Sequence, residues 1–345
     1  MRAPPAQLAR IVALVPFAVV ACTASPTIGP TGMATQSASP LVSPTPASST
    51  SPPLLTPPPA VGTWRTGATM PTARTEVGGA ALEGRLYVAG GLVQGGAATT
   101  AFEAYDPAAD TWVVLAPLPE PRDHLGMAAL GGRIYVAGGG IFGRGSVVDA
   151  WAYDPRTDSW SSIASLPARR VAHALVALDG KLYAVGGVVE GEPGTSIAVY
   201  DPATDTWDDA LAPAPTLREH VAGVALGGRV WLIGGRWSGN LATLETYDPA
   251  SDTWSSFPDM PTPRGGLTAA VVDGLIHVTG GESESGTFRQ HEVFDPATMT
   301  WTTYPDLPTP RHGLGSGLID RMWLVAGGGT QPGLSVSDVV EIWTP

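Results

Sequence analysis

The sequence is poor in cysteine and lysine and contains no long hydrophobic run. Of its 345 residues, one is cysteine (Cys22) and one is lysine (Lys181), whereas 18 are arginine. A single cysteine excludes a disulfide framework. The apolar stretch at residues 11–21 has only 11 residues and is interrupted by Pro16, so it is too short to span a bilayer. Glycine-rich phosphate loops, zinc-type Cys/His spacings and Gly-x-Ser-x-Gly elbows are also missing from the sequence, which therefore points to none of those enzyme classes.

Acidic residues are absent from the first 75 positions and outnumber basic residues in the rest of the chain. All 31 acidic residues lie from Glu76 onward, and without Arg2 and Arg10 there are 17 basic residues and a formal net charge of −14. Nucleic-acid binding needs a basic face that neutralises phosphates, so we expect no nucleic-acid partner. Anionic lipid headgroups would also repel this domain, so attachment to a membrane requires a separate anchor.

One pattern recurs six times between residues 61 and 345. Each copy has a short apolar run that ends in a diglycine, and successive diglycines are 46 to 48 residues apart. An aromatic residue lies 13 to 16 residues after the first glycine of each pair, and a tryptophan lies seven residues after the first five aromatics. A repeat of nearly fifty residues with these marks is typical of a propeller of four-stranded blades. The diglycines are Gly90-Gly91, Gly138-Gly139, Gly186-Gly187, Gly234-Gly235, Gly280-Gly281 and Gly327-Gly328.

These repeats resemble the kelch-repeat family over roughly residues 61–345. The resemblance predicts an all-β fold, namely a six-bladed β-propeller of four-stranded antiparallel blades. In the first repeat, strands are expected at 77–82, 85–89, 101–105 and 111–115. The second of these strands has no polar residue after its first position, as a strand buried on both faces requires.

The two ends of the repeat region predict how the propeller closes. The last repeat stops at Pro345, one strand short of a complete blade. Trp64 precedes Arg74 by ten residues, which is the spacing between the tryptophan and the arginine of other repeats. We therefore expect residues near 61–66 to supply the fourth strand of the last blade, where they would cover an open strand edge.

Residues 1–21 are predicted to be a lipoprotein signal peptide. A positively charged start precedes the apolar stretch, and Val19-Val20-Ala21-Cys22 resembles the lipobox of bacterial lipoproteins. In such proteins the cysteine is lipidated and the chain is cleaved before it. The alternative is an ordinary signal peptide in which Cys22 has no role.

Residues 22–60 are predicted to be a disordered tether. Positions 23–60 contain ten prolines, fourteen serines or threonines and no charged residue, a composition that cannot bury a core. The domain organisation is therefore a signal peptide, a tether and a propeller at 61–345. We expect an extracytoplasmic protein that is anchored to a bacterial membrane by lipidated Cys22.

An arginine occupies the same position before the first strand of every repeat. In propellers that resemble kelch the first strand is innermost, so the resemblance implies a ring of arginines at one mouth of the central channel. Such a ring would bind an acidic peptide or an anionic or polyhydroxylated glycan through the guanidinium forks. The alternative is a structural role, in which each arginine pairs with a carboxylate or with backbone carbonyls. The six residues are Arg74, Arg122, Arg170, Arg218, Arg264 and Arg311.

Histidines and carboxylates directly follow these arginines. Glu76, His124 and His220 share one register, two residues after an arginine, and belong to different blades. We expect them to line the channel separately rather than to converge on an ion, so no metal and no cofactor is predicted. The other members of this group are Asp123, Glu219 and His312.

The loops that follow the diglycines differ from copy to copy and should surround the same mouth. Variable loops on a repeated scaffold usually carry specificity, and the candidate residues here are Phe142, Arg144, Arg236 and Trp237. Trp237, beside Arg236, could stack on a sugar face. The alternative is that its side chain shields the adjoining blade.

The sequence favours a non-catalytic propeller that binds a ligand or an unknown protein. The alternative is a carbohydrate-active enzyme, because some six-bladed bacterial kelch proteins are secreted sialic-acid mutarotases. For that chemistry the best local candidate is Arg218-Glu219-His220, with Glu219 as the base and Arg218 holding a carboxylate. Three adjacent residues cannot all point into the channel, which weakens the match.

Overall fold

The computed structural model describes residues 62–141 and 144–345, and all regular secondary structure within them is β-strand. The predicted signal peptide, Cys22 and the tether at 22–60 lie outside the described residues. In this part of the chain, no helix has the length and apolarity that crossing a membrane requires.

The described strands form six main sheets that follow one another along the chain, and we number the sheets in that order. The first strand, β1, spans Thr63–Thr66. Sheet 1 contains β2 (Gly78–Leu82), β3 (Arg85–Ala89), β4 (Phe102–Asp106) and β5 (Thr111–Val114). Sheet 2 and its loop contain β6 (Gly126–Leu130), β7 (Arg133–Ala137), the short pair β8 (Gly140–Ile141) and β9 (Gly145–Ser146), β10 (Ala150–Asp154) and β11 (Ser159–Ile163).

The remaining sheets repeat this order. Sheet 3 and its loop contain β12 (Arg170–Val171), β13 (Ala174–Leu178), β14 (Lys181–Val185), β15 (Val188–Val189), β16 (Glu192–Pro193), β17 (Ile197–Asp201) and β18 (Thr206–Asp208). Sheet 4 contains β19 (Ala222–Leu226), β20 (Arg229–Ile233), β21 (Leu244–Asp248) and β22 (Thr253–Phe257). Sheet 5 contains β23 (Gly265–Val272), β24 (Leu275–Ser283), the short β25 (Gly286–Thr287), β26 (His291–Asp295) and β27 (Thr300–Tyr304). Sheet 6 contains β28 (Gly315–Ile319), β29 (Met322–Ala326) and β30 (Val340–Thr344).

Neighbouring strands within each main sheet are antiparallel and follow chain order. The exception is sheet 6, whose fourth strand is β1, from the start of the described chain. In this pairing Trp64 lies opposite Trp343, and Arg65 lies opposite Ile342. The first strand of each sheet also lies against the first strands of two other sheets, in a circuit of β2, β6, β13, β19, β23, β28 and again β2.

Two-residue turns join the first and second strands of the sheets, and their backbone angles explain their sequences. Glu83 and Gly84 have φ angles of 49° and 75°, and Asp179 and Gly180 have φ angles of 48° and 78°. Positive φ at both central positions defines the type I′ turn, whose twist matches that of a hairpin. Aspartate and glycine tolerate this conformation well, which accounts for the recurring Asp-Gly and Gly-Gly pairs.

Hydrophobic clusters fill the spaces between neighbouring sheets. Between sheets 1 and 2, the ring of Phe102 lies 4.7 Å from that of Tyr153 and 4.9 Å from that of Trp160, measured between centroids. Between sheets 1 and 6, buried Val88 belongs to one cluster with Leu324. The core is therefore divided among the interfaces between sheets.

The repeated tyrosine, aspartate and tryptophan tie each sheet to the one before it. The Tyr153 hydroxyl donates to Asp158 Oδ1 at 2.7 Å, and the same oxygen accepts a bond from the Ala116 amide at 2.9 Å. Trp160 Nε1 donates to the carbonyl of Ala116 at 2.9 Å. The same set recurs in the next two repeats. Trp64 Nε1 makes the corresponding bond to the Pro305 carbonyl at 2.8 Å, so β1 is held to sheet 5 as well as to sheet 6.

Candidate functional site

The six junction arginines are buried inside the sheets. Their relative exposure is between 0 and 2%, so a ligand in solution does not reach their guanidinium groups. The structure therefore corrects the expectation of a basic ring at the channel mouth and favours the structural alternative. The corrected residues are Arg74, Arg122, Arg170, Arg218, Arg264 and Arg311.

A glutamate on the third strand of the same sheet neutralises four of these arginines. Arg74 Nη2 lies 2.6 Å from Glu103 Oε2, and Arg74 Nη1 donates to the carbonyls of Gly90 and Ala101 at 2.7 and 2.9 Å. The guanidinium thus supplies a donor to the Gly90 carbonyl and a second donor to the Ala101 carbonyl, which also accepts the Gly90 amide. The other pairs of this kind are Arg218–Glu245, Arg264–Glu292 and Arg311–Glu341.

The remaining two arginines have other partners because their sheets lack this glutamate. Arg122 lies over the ring of Trp151, with 4.5 Å between its guanidinium carbon and the ring centroid, and its Nη2 lies 3.1 Å from Asp149 Oδ2. Arg170 donates to the carbonyl and the hydroxyl of Ser196 at 2.9 and 2.7 Å. Each sheet therefore engages its arginine internally.

Two residues after each arginine, backbone hydrogen bonds link one sheet to the next in a ring. The His124 amide donates to the Glu76 carbonyl at 2.9 Å, and four further bonds of 2.8 to 3.0 Å continue the series to Gly313. The Val77 amide, 3.4 Å from the Gly313 carbonyl, completes the circuit. All six residues have a left-handed backbone conformation, with φ between 49° and 69°. We call them the inner ring: Glu76, His124, Ala172, His220, Gly266 and Gly313.

Three side chains of the inner ring converge. Potential ligand atoms of Glu76, His124 and His220 all lie within 4.8 Å of one another. His124 Nε2 is 3.3 Å from Glu76 Oε2, and the two imidazole rings are edge to face with 4.9 Å between centroids. The prediction that these residues stay apart is therefore wrong, because the left-handed backbone turns the same position of three sheets toward a common centre. Two imidazoles and one carboxylate are a donor set that can hold a divalent metal ion.

Each of these histidines is held by the carboxylate of the residue before it. His124 Nδ1 lies 2.7 Å from Asp123 Oδ1, and His220 Nδ1 contacts Glu219 Oε2. The carboxylates thus occupy both Nδ1 atoms and leave each Nε2 for other partners, which for His124 is Glu76. His312 joins the cluster from sheet 6, with Nδ1 3.1 Å from Glu76 Oε1.

Arg236, a candidate from the loop after β20, turns into this cluster. Its Nε donates to Glu219 Oε1 at 2.8 Å and its Nη1 donates to Glu282 Oε1 at 2.6 Å. Its Nη2 lies 3.1 Å from His220 Nε2. Sequence reasoning missed Glu282, although it follows Gly281 just as Arg236 follows Gly235. That shared register on neighbouring repeats was the available signal.

Opposite charges outweigh burial in setting the protonation of this cluster. Burial alone would raise the pKa of Glu76, but His124 and His312 hold that pKa well below its usual range. Burial alone would lower the pKa of His124, yet Glu76 and Asp123 raise it. Burial alone would also lower the pKa of His312, but Glu76 and Glu282 raise that pKa above its usual value. The cluster therefore favours ionised carboxylates facing cationic groups.

A cavity of about 460 Å³, which we call the mouth pocket, opens onto this cluster. Its volume lies within the usual range of small-molecule sites. The polar lining consists of Asp123, His124, Glu219, His220 and Ser146. The apolar lining includes Leu92, Ile141, Val171, Ala172 and Leu334.

The other loop candidates are not among the residues that line the mouth pocket or lie outside the described residues. Trp237 is 44% exposed and is not among the described residues that line the pocket. Arg144 is exposed in the loop between β8 and β9. Phe142 lies outside the described residues. The structure thus brings Arg236, Glu219 and His220 together, whereas the Trp237 side chain is exposed and does not line the mouth pocket.

A smaller cavity, of about 90 Å³, lies at the inner ring itself. Glu76, His124 and His220 line it, together with His173. His173 is 6% exposed, and neither of its ring nitrogens has a hydrogen-bond partner among the described residues. Burial, with a smaller contribution from Arg170, lowers the pKa of His173 to about 3, so this imidazole is neutral.

Comparison with known proteins places the fold in a family. Residues 61–235 and 172–344 match the model of the KLHDC2/KLHL20/DRC7 Kelch-repeats domain. The chain therefore belongs to the kelch-repeat family, and its fold is a kelch-repeat β-propeller. The solved structure of YjhT is similar, with a TM-score of 0.68 and 22% sequence identity over 79% of this chain and 95% of that chain. At this identity the likeness concerns the fold. No curated protein matches the chain.

Proposed function

We propose that this chain is a non-catalytic binding protein, a six-bladed kelch-repeat propeller whose mouth pocket takes a small polyhydroxylated ligand. The blade count is supported by the six main sheets and by the circuit of contacts among their first strands. In this proposal β1 completes the last blade, which is supported by its pairing with β30.

The proposed class of ligand rests on the residues that line the mouth pocket. Carboxylates of Asp123 and Glu219 are acceptors for hydroxyl groups, and Leu92, Val171 and Leu334 offer apolar contact for the C–H face of a sugar ring. A cavity that combines an apolar wall with a few placed polar groups is the usual form of a small-molecule site. A sugar-sized molecule presents both surfaces at once.

Charge favours a neutral ligand over the anionic ligands that the sequence suggested. Asp123 and Glu219 line the pocket, and Glu76 and Glu282 belong to the same cluster. Arg236 already pairs with Glu219 and Glu282. The junction arginines are buried with their own partners, so they offer no guanidinium to a carboxylate on the ligand, which would face Asp123 and Glu219 in the pocket.

A thermal-shift screen of the full chain against neutral sugars, sugar acids and acidic peptides tests this proposal. A bound ligand at 100 times its Kd stabilises by about 2.7 kcal/mol, which raises the melting temperature by a few degrees. We expect the shift from neutral sugars. Ser146→Trp should fill the mouth pocket and abolish the shift, whereas Ser285→Trp, on an exposed loop outside the pocket, should retain it.

Two results of this screen would contradict the proposal. One is a shift caused only by sugar acids or acidic peptides and retained in Ser146→Trp. The other is no shift with any small molecule, which would favour a protein-binding role for the rim loops.

A proton-transfer activity on sugars is a second candidate, and one specific observation favours it. Two carboxylate–imidazole pairs, Asp123–His124 and Glu219–His220, meet at the mouth pocket with 4.9 Å between imidazole centroids. Interconverting sugar anomers needs one group to take a proton from the anomeric hydroxyl while another gives a proton to the ring oxygen. Arg218 takes no part in this version, because it is buried against Glu245.

Equilibration of sugar anomers, followed by NMR, separates the two candidates. If the chain is an enzyme, the anomers should equilibrate faster in its presence than without it. Glu219→Gln should abolish this acceleration while the sugar still binds. If bound sugars equilibrate at the uncatalysed rate, the binding function stands alone.

We also propose that lipidated Cys22 anchors the chain to a bacterial membrane and that residues 22–60 hold the propeller away from it. The lipobox-like sequence and the uncharged Pro/Ser/Thr composition support this proposal. Cell fractionation tests it, since Cys22→Ala should move the protein from the membrane fraction to the soluble fraction. Wild-type protein found only in the soluble fraction would contradict the anchor.

A further inference from the structure

We propose that Glu76, His124 and His220 bind a divalent first-row transition metal ion of the Zn²⁺ class. The proposal goes beyond the ligand of the mouth pocket and does not depend on sugar binding. Two imidazole nitrogens with one carboxylate oxygen are the protein ligands of many zinc sites that keep a fourth position for water. Carboxylate and imidazole donors together also suit other divalent ions of the first transition row.

The distances are close to those of a bound site. Zinc lies about 2.0–2.2 Å from nitrogen and oxygen ligands, so its ligands are roughly 3.3–3.6 Å apart in a tetrahedron. His124 Nε2 and Glu76 Oε2 are already 3.3 Å apart. The largest separation in the triad is within 4.8 Å, so a rotation of the side chains that closes about an ångström would complete the geometry.

The residues behind the triad supply an independent argument. Histidines that bind metals almost always engage their other ring nitrogen with a carboxylate, a carbonyl or water, which fixes the ring and raises its basicity. Here the carboxylate oxygen of Asp123 lies 2.7 Å from His124 Nδ1, and the carboxylate of Glu219 contacts His220 Nδ1. Both rings are thus fixed through Nδ1, and His124 Nε2 faces Glu76 Oε2 at 3.3 Å.

The inner ring leaves space for an ion and its water. The cavity of about 90 Å³ at the ring is lined by the whole triad, and a water molecule occupies about 30 Å³ in the liquid. The other three positions of the ring, Ala172, Gly266 and Gly313, carry no side chain larger than a methyl group. His173 lines the same cavity with no partner for either nitrogen among the described residues.

Arg236 is the group that a metal ion would displace. Its Nη2 lies 3.1 Å from His220 Nε2, so metal binding must end this contact. Arg236 keeps its bonds to Glu219 and Glu282 when it does so. Four carboxylates, those of Glu76, Asp123, Glu219 and Glu282, surround the site, so a divalent cation enters a region with more acidic than guanidinium groups.

Zinc titration of the metal-stripped full chain tests the proposal. All chains carry Cys22→Ser so that the thiol binds no metal, and bound zinc is counted by elemental analysis while affinity is measured by calorimetry. We expect one zinc per chain, with affinity reduced at least 100-fold in Glu76→Gln, His124→Asn and His220→Asn. Asparagine tolerates the left-handed backbone of these positions, and melting without zinc verifies that each variant folds. Glu190→Gln, at an exposed loop position, is the matched control and should bind as wild type.

Two further readouts make the test specific for the triad. Asp123→Asn should weaken zinc binding about 10- to 100-fold while one zinc per chain is still bound at saturation. Co²⁺ should give the intense visible absorption of a four-coordinate site in wild type and lose it in His124→Asn. Zinc bound equally by folded triad variants, or no zinc bound by folded wild type at millimolar concentration, would overturn the proposal.

Discussion

At the residue scale, arginine has two distinct roles in this chain. Four of the junction arginines are buried and donate to the carbonyl of the first diglycine residue of their own sheet, namely Arg74, Arg170, Arg218 and Arg311. Arg236 instead lies in a surface loop and joins the cluster at the mouth pocket. In four of the six repeats a glutamate lies two residues before the repeat aromatic, as Glu103 does before Tyr105. This glutamate is the partner of the buried arginine, so the sequence contained a signal for the structural role.

The buried arginines should be essential for stability. Arg264→Ala leaves Glu292 buried without its partner at 2.8 Å, so we expect a loss of about 3–5 kcal/mol in the free energy of unfolding. Denaturant titration measures the loss. Arg321→Ala, which breaks an exposed pair with Asp273, should cost less than about 1 kcal/mol. Equal losses in the two variants would contradict the structural role.

At the element scale, β1 should contribute as much to stability as the fourth strand of any other sheet. Trp64 on β1 and Trp112 on β5 are both half-buried and donate similar bonds to the preceding sheet, at 2.8 and 2.9 Å. We expect Trp64→Ala and Trp112→Ala to destabilise the propeller by similar amounts, roughly 2–4 kcal/mol. Hydrogen exchange should show loss of protection in β30 for the first variant. A Trp64→Ala protein with wild-type stability and exchange would show that β1 is dispensable.

Buried neutral histidines in sheet 5 should make the fold sensitive to acid. Burial lowers the pKa of His277 to about 4 and, with the neighbouring His277, that of His291 to about 3. Because both values lie below the ordinary value of 6.5, the unfolded chain takes up these protons first. Stability is therefore complete above about pH 6.5 and declines as the pH falls toward 3, by up to roughly 8 kcal/mol for the two histidines together.

Denaturant titrations between pH 7 and pH 4 test this decline. The double variant His277→Gln/His291→Gln should lose less stability than wild type across this range, because glutamine does not titrate. Carboxylates contribute equally to both proteins, so the difference between them isolates the histidines. Identical pH profiles would contradict the assignment.

The sequence predicted the elements better than it predicted the site. Strands expected at 77–82, 85–89, 101–105 and 111–115 correspond to β2 through β5, with bounds that differ by one residue at most. Strand positions follow from apolar runs and turn residues, which are local signals. The convergence of Glu76, His124 and His220 depends on positive φ at residues that are not glycine. Because such angles are uncommon and nothing local in the sequence requires them, the common register alone did not reveal the contact.

At the scale of the whole molecule, one cluster combines the features that point to function. The inner ring, the mouth pocket and the loops carrying Arg236 and Glu282 meet at the start of the first strands. The rest of the propeller consists of repeated bonds and hydrophobic interfaces that hold this arrangement. The predicted tether at 22–60 would leave the propeller free to meet ligands outside the cytoplasm.

The affinity of a neutral sugar from the ligand screen, measured by calorimetry in three proteins, tests the central claim most directly. Ser146→Trp alters the mouth pocket, and Arg264→Ala alters a buried arginine, so the two variants separate the pocket from the arginines. All titrations are made below the melting temperature of the least stable protein. We predict that Ser146→Trp weakens binding by at least about tenfold, or 1.4 kcal/mol, while Arg264→Ala binds as wild type does. Normal affinity in Ser146→Trp together with lost affinity in folded Arg264→Ala would contradict the account.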